Sequence, residues 1–175
     1  FKKSNFNSIL LPHLIEEIQL QSTKIKIPDY KEKFVIFSVS EWTNRKNFQC
    51  LIKSYLLEFA GQKDVMLILK TSLPAGLEKD QFIKQFSHIK NRIRTHGKEK
   101  PNIVVILDYL EESKMKFLYE VCDVFCLTSL GEGFSLPTSE AAILKKPVIC
   151  PRFGGHIDFL NKNNIQSTII MPINI

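Results

Sequence analysis

The feature that most constrains this chain is Ser129-Leu130-Gly131-Glu132-Gly133-Phe134-Ser135-Leu136-Pro137-Thr138-Ser139-Glu140-Ala141, set directly behind the apolar run Val124-Phe125-Cys126-Leu127. A short uninterrupted apolar run suits a strand covered on both faces, as in a parallel sheet. The glycine-rich turn then feeds a helix over 135–144. Ser135 is its N-cap candidate, and Pro137 falls in the first turn, where a missing N–H leaves no bond unmade. The N–H groups of Phe134, Ser135 and Leu136 are expected to point out of the helix start, beside the carboxyl end of a strand. Such a place suits a phosphate or a polarised sugar hydroxyl.

The two glutamates differ. Glu132 lies in the turn, where a carboxylate is welcome near the positive end of the helix dipole, and by itself that is what any cap-region charge does. Glu140 is out of place. Leu136, Glu140, Ile143 and Leu144 recur at i, i+4, i+7 and i+8, which puts the carboxylate on the stripe expected to face the core. A buried carboxylate needs donors, and vicinal sugar hydroxyls would supply them.

The string Gly-Glu-Gly-Phe-Ser-Leu-Pro-Thr-Ser-Glu-Ala, with its two glutamates set between strand and helix, closely resembles the signature of the family 4 glycosyltransferases, retaining enzymes of the GT-B fold. The resemblance runs from about Phe34 to about Leu160 and takes in Trp42-Thr43-Asn44-Arg45-Lys46-Asn47, Leu118-Tyr119, Cys122-Asp123, Pro147-Val148-Ile149 and Gly154-Gly155. It covers the carboxyl-terminal, donor-binding half of such an enzyme. The amino-terminal acceptor domain is absent from the chain, and Phe1 opens on neither a signal peptide nor an obvious native start, so an excised piece is expected.

At 175 residues the chain is long enough for one domain that buries roughly 70% of its unfolded surface without disulfides or metal. No apolar run approaches the ~20 residues of a membrane span. The net charge of +6 is spread through helices, as over 79–100, rather than gathered into one block with interleaved aromatics. That argues against a nucleic-acid surface. It suits a cationic face for nucleoside diphosphates, or peripheral attraction of the full-length protein to an anionic membrane. Cys50, Cys122, Cys126 and Cys150 show no metal-ligand spacing and no disulfide pattern, which points to a reducing cytoplasm.

Taken in order, residues 1–33 read as a linker of the same domain, with Ser8–His13 as a candidate strand. A strand over 35–39 and an amphipathic helix over 47–59, with Phe48, Leu51, Ile52, Tyr55 and Leu56 on one face, then make the first βα unit. Strands over 65–69, 103–107, 124–127, 148–150 and 168–171 alternate with helices over 80–95, 111–121, 135–144 and 157–161. That order predicts an α/β doubly wound parallel sheet, Rossmann-like, occupying 34–175, with ligands beyond the carboxyl ends of its strands.

Arg45-Lys46 stands where the first helix begins, a position at which cations oppose the dipole unless an anion is near. The resemblance makes Lys46 the diphosphate-binding lysine and places Glu132 by the donor sugar and Glu140 on the ribose hydroxyls. Many relatives carry an arginine about six residues before that lysine, where this chain has Ser40-Glu41, and Arg45 is the candidate replacement. Lys70, at the end of the second strand, is a further cation. Tyr109 and Leu110 occupy the place where relatives hold the base, and Gly154-Gly155 is expected to bring backbone N–H groups to the donor. His156 and Asp158, which follow that pair, are weak signals for catalysis.

With no Asp-x-Asp pair, no metal and no cofactor are expected. The resemblance implies a nucleoside-diphosphate sugar as donor, whose leaving charge would meet Lys46, Arg45 and the helix start, with Gly133, Phe134, Ser135 and Leu136 lining it. The rival expectation is a non-catalytic nucleotide-binding or interaction module on the same fold, supported by Ser40, Asp108 and Ser135 where relatives have Arg or Gly. A phosphorylase-like enzyme is weaker, for want of a cofactor lysine.

Overall fold

The computed structural model describes residues 20–162 and 168–171. The candidate strand Ser8–His13 lies outside them. Within them a six-stranded, wholly parallel sheet has the order β3-β2-β1-β4-β5-β6. Its strands are β1 Phe34–Glu41, β2 Val65–Ser72, β3 Asn102–Ile106, β4 Val124–Cys126, β5 Val148–Pro151 and β6 Thr168–Met171. The helices are α1 Phe48–Glu58, α2 Lys79–Arg92, α3 Glu112–Val121, α4 Leu136–Ile143 and α5 His156–Lys162.

Strand alternation divides the core in two. Ile36, Leu67, Leu69, Val124 and Cys126 pack with the α1 residues Phe48, Leu51, Ile52, Tyr55 and Leu56 and with Phe86 and Ile89 of α2. The opposite faces, carrying Val35, Phe37, Met66, Ile68, Phe125 and Val148, pack with Phe117, Leu118 and Tyr119 of α3, Ala141 of α4 and Leu160 of α5. Residues preceding β1 also belong to this second layer: Ile27 is buried in it and Tyr30 meets Phe117 edge to face at 5.9 Å.

Two local expectations are corrected. The stripe Leu136, Glu140, Ile143, Leu144 does not face the core as drawn, because Leu136 is 54% exposed and the buried residues of α4 are Thr138, Ser139 and Ala141. Small side chains let the helix sit close. Their hydroxyls find partners locally, Ser139 Oγ on the Leu136 carbonyl at 2.7 Å and Thr138 Oγ1 with Ser135 Oγ at 2.8 Å. Ser135 does hold the N-cap position, with its carbonyl accepting from the N–H groups of Thr138 and Ser139. It adopts φ 69°, however, and its side chain makes no cap bond to the backbone.

The strand order reverses between β1 and β4, which lie side by side with Ile36 opposite Val124 and Phe37 opposite Phe125. Loops leaving the carboxyl ends of two such strands diverge to opposite faces of the sheet and open a crevice between them. The loop after β1 carries Arg45-Lys46, and the loop after β4 carries Gly131-Glu132-Gly133.

Candidate active site at the β1–β4 crevice

Arg45 and Lys46 do not begin α1. They lie in a separate 3-10 turn, Asn44–Lys46, and Asn47, at φ 55°, starts α1 from the left-handed region. Asparagine tolerates that conformation better than most residues. The pair therefore does not oppose a helix dipole, and the anion beside it belongs to the protein. Lys46 Nζ lies 2.5 Å from Glu132 Oε1, and Arg45 Nη1 lies 3.6 Å from Oε2 and 2.5 Å from the Gly131 carbonyl. The Glu132 side chain is 8% exposed and that of Lys46 is 14% exposed.

The two loops are also joined through their backbones. The Leu130 N–H donates to the Arg45 carbonyl at 2.7 Å, and Thr128 Oγ1 lies 3.2 Å from the carbonyls of both Lys46 and Asn47. Burial alone would push the Glu132 carboxyl up. Hydrogen bonds from Lys46 and Ser129, with the charges of Lys46 and Arg45, outweigh it and hold the group below the ordinary carboxylate value.

Gly154-Gly155 bears on this turn through sterics. The Gly155 N–H donates to the Glu132 carbonyl at 3.3 Å, and a Cβ on Gly155 would stand 1.7 Å from the Gly133 carbonyl oxygen. Gly154 has φ 107°, and a Cβ there would meet the Glu132 carbonyl oxygen and the His156 ring at 3.1 Å. The pair is therefore the seat on which the Glu132-Gly133 backbone rests. His156 is a buried residue: it is 1% exposed and its Nε2–H donates to the Pro151 carbonyl at 2.9 Å. Asp158 is exposed.

Gly131 and Gly133 behave oppositely, since a Cβ on either would meet nothing within 4 Å. Gly131→Ala and Gly133→Ala are expected to keep the stability of the parent to within about 1 kcal/mol, as read from melting curves.

Glu140 is half-buried on α4, and its partner is in the protein. Tyr119 Oη of α3 donates to Glu140 Oε2 at 2.7 Å, so the expectation that this carboxylate waits for its donors is corrected. Sequence reasoning missed this role of Tyr119, although a tyrosine on the core face of a helix is a signal in itself, because its hydroxyl must find an acceptor. Burial pushes the Glu140 carboxyl up, the Tyr119 hydrogen bond opposes that, and Glu112 adds to it.

Lys70 lies within β2, two residues before its last, and is 8% exposed on the sheet face of Met66 and Ile68. Burial draws its ammonium down from the ordinary lysine value against the attraction of Asp108, and it donates a long hydrogen bond, 3.4 Å, to the Thr71 carbonyl. Leu110 packs against that same layer, whereas Tyr109 is 89% exposed. Phe134 packs on Phe159 with ring centroids 5.0 Å apart. A separate cleft on the α1–α2 side of the 3-10 turn, lined by Trp42, Asn44, Phe48 and Arg92, includes none of the residues named for the donor. Among the described residues, no three His, Cys, Asp or Glu side chains stand together as a metal-ligand set.

The model of the family described as glycosyl transferases group 1 matches residues 21–172. The chain belongs to that family. The serotype-specific mannosyltransferase WbdA of Escherichia coli is 27% identical over 132 residues, a match covering 75% of this chain and 15% of the relative. The chain thus spans under one sixth of that protein's length. Among solved structures, an E. coli trehalose-6-phosphate protein bound with UDP-2-fluoro glucose superposes with TM-score 0.60 at 17% identity, covering 81% of this chain and 34% of its own. The HepE protein of Anabaena in complex with UDP-glucose gives TM-score 0.52 at 19% identity, covering 74% of this chain and 32% of its own. At these identities the neighbours speak for the fold, which is that of one half of a GT-B glycosyltransferase. No helix among the described residues is long and apolar enough to cross a membrane.

Proposed function

We propose that this chain is the donor-binding part of a retaining glycosyltransferase that takes a sugar from a nucleoside diphosphate without a metal ion. The observation that carries the reading is the meeting of Lys46, Arg45 and Glu132 across the β1–β4 crevice. Lys46 is held ready by a carboxylate, and a diphosphate that displaces Glu132 from it gains a charge-assisted bond in a largely water-excluded place. Arg45 and the N–H of Leu136, in the first turn of α4, add positive potential where the leaving phosphate gathers charge. Glu132, released toward the donor sugar, faces the reacting carbon, and Glu140 takes the ribose hydroxyls.

WbdA is named as a serotype-specific mannosyltransferase, which favours a hexosyl donor and synthesis of a surface polysaccharide or glycoconjugate. The acceptor is assigned to a second, amino-terminal half of the full-length protein. That protein is expected in the cytoplasm, touching the membrane peripherally if at all.

Titration with uridine, guanosine and adenosine diphosphates, with and without a chelator, tests the reading. At least one is expected to bind, with affinity unchanged by chelation. Binding that disappears with the chelator would overturn metal independence, and no binding of any of the three would overturn the nucleotide reading. The rival module binds in the same way but leaves the full-length protein without sugar transfer, so an assay of that protein separates the two.

A further inference from the structure

We infer that Tyr119 is a positioning residue that sets the plane of the Glu140 carboxylate for recognition of a vicinal diol. The inference rests on the proposed reading of Glu140 as the ribose ligand. Tyr119 is 1% exposed, and its ring is pinned edge to face on Phe37 at 5.1 Å and against Phe125 at 5.8 Å. Its hydroxyl has one hydrogen and two acceptors in reach, Glu140 Oε2 at 2.7 Å and the Pro137 carbonyl at 3.3 Å. The shorter bond, to the carboxylate, takes it. Pro137 lies in the first turn of α4 and Glu140 one turn later, so the phenol fixes the carboxylate relative to the helix start that faces the crevice.

The consequence is geometric. A glutamate on a short helix has three rotatable bonds, and an unanchored carboxylate would lose that freedom each time a ligand bound. Here one oxygen is already tied, and among the described residues no other protein donor reaches the group. Oε1 and the second lone pair of Oε2 are left for a ligand, acceptor capacity enough for two neighbouring hydroxyls. Tyr119 also carries the proton that keeps the carboxylate an acceptor in a site where burial favours its neutral, donating form.

Tyr119→Phe keeps the ring and removes only the hydroxyl. The tightest-binding nucleoside diphosphate and its 2',3'-dideoxy analogue are titrated against the full chain, the Tyr119→Phe and Glu140→Leu variants and the double variant, each with a melting curve. For Tyr119→Phe, the ribonucleotide is expected to bind about three- to tenfold more weakly, the cost of ordering a carboxylate that is no longer anchored, with the dideoxy analogue unchanged. The acidic limb of ribonucleotide binding moves to higher pH, because the bond that opposed protonation of Glu140 is gone.

In the Glu140→Leu background the same change has no further effect on either ligand, which reads out even if the phenol also contributes to stability. Equal weakening for both ligands, or an unchanged ribonucleotide affinity, overturns the inference. If Glu140→Leu itself binds the ribonucleotide as tightly as the parent, the ribose reading fails and takes this inference with it. If Glu140→Leu loses the ribose preference while Tyr119→Phe retains it, only the positioning role falls.

Discussion

Gly155→Ala is expected to lower the melting temperature by roughly 6–12 °C, the equivalent of about 3 kcal/mol in a domain of this size. The added methyl would lie 1.7 Å from the Gly133 carbonyl oxygen and 2.8 Å from its carbon, so the atoms that must yield are backbone and cannot swing aside as a side chain would. Either the 154–155 segment or the Glu132-Gly133 turn has to move. Moving that turn stretches the ion pair of Glu132 with Lys46 and the Gly155 N–H bond to the Glu132 carbonyl. Nucleoside diphosphate binding should fall with stability. Gly133→Ala, on the other side of the same contact, has open space for its methyl and serves as the control. A melting temperature for Gly155→Ala within two degrees or so of the parent would mean that the two loops do not touch in this way in solution.

That contact also marks where reading the sequence stops. Local apolar pattern carried the fold well: the five residues assigned to the inner face of α1 are the five that are buried, and the sixth strand, 168–171, has the expected bounds. Pattern carried strand ends less well. The sequence predicts a second strand that stops at Leu69, but β1 pairs with β2 as far as Glu41 opposite Ser72, and this neighbour draws Lys70 and Thr71 into the sheet. A strand's end is set by its partner, which no local window contains.

In α4 the difficulty was size. Polarity marks Thr138 and Ser139 as surface residues, yet they are buried, because small side chains allow close approach and their hydroxyls bond within the same turn. Lys46, Glu132 and Glu140, the positions proposed to carry the chemistry, are legible as motif members. Their pairings are not, since Lys46 with Glu132 and Tyr119 with Glu140 join segments that only the tertiary fold brings together. The resemblance implies candidate roles for these side chains, and the structure gives each of them a partner within the protein.

Lys46→Ala is expected to weaken nucleoside diphosphate binding by about 1.5–3 kcal/mol, or roughly 10- to 150-fold, while a nucleoside without phosphates binds both forms alike. The same substitution should change how stability responds to acid. In the parent, the folded Glu132 carboxyl lies below its unfolded value. It therefore contributes stability that is fully present above the ordinary glutamate pKa of about 4.3 and lost as pH falls through the lower, folded value. Removing Lys46 takes away both a hydrogen bond and the nearest charge that oppose burial, which leaves Arg45, 3.6 Å away and more exposed, as the remaining cation. The folded carboxyl then rises, and stability lost at neutral pH is partly regained as the group protonates. Melting temperatures at pH 7 and pH 4 read this directly, with Lys46→Ala well below the parent at pH 7 and the gap narrowing at pH 4. A gap that stays constant with pH would show that Glu132 does not depend on Lys46. Equal losses of nucleoside and nucleoside diphosphate would show that the lysine acts on the fold rather than on phosphate.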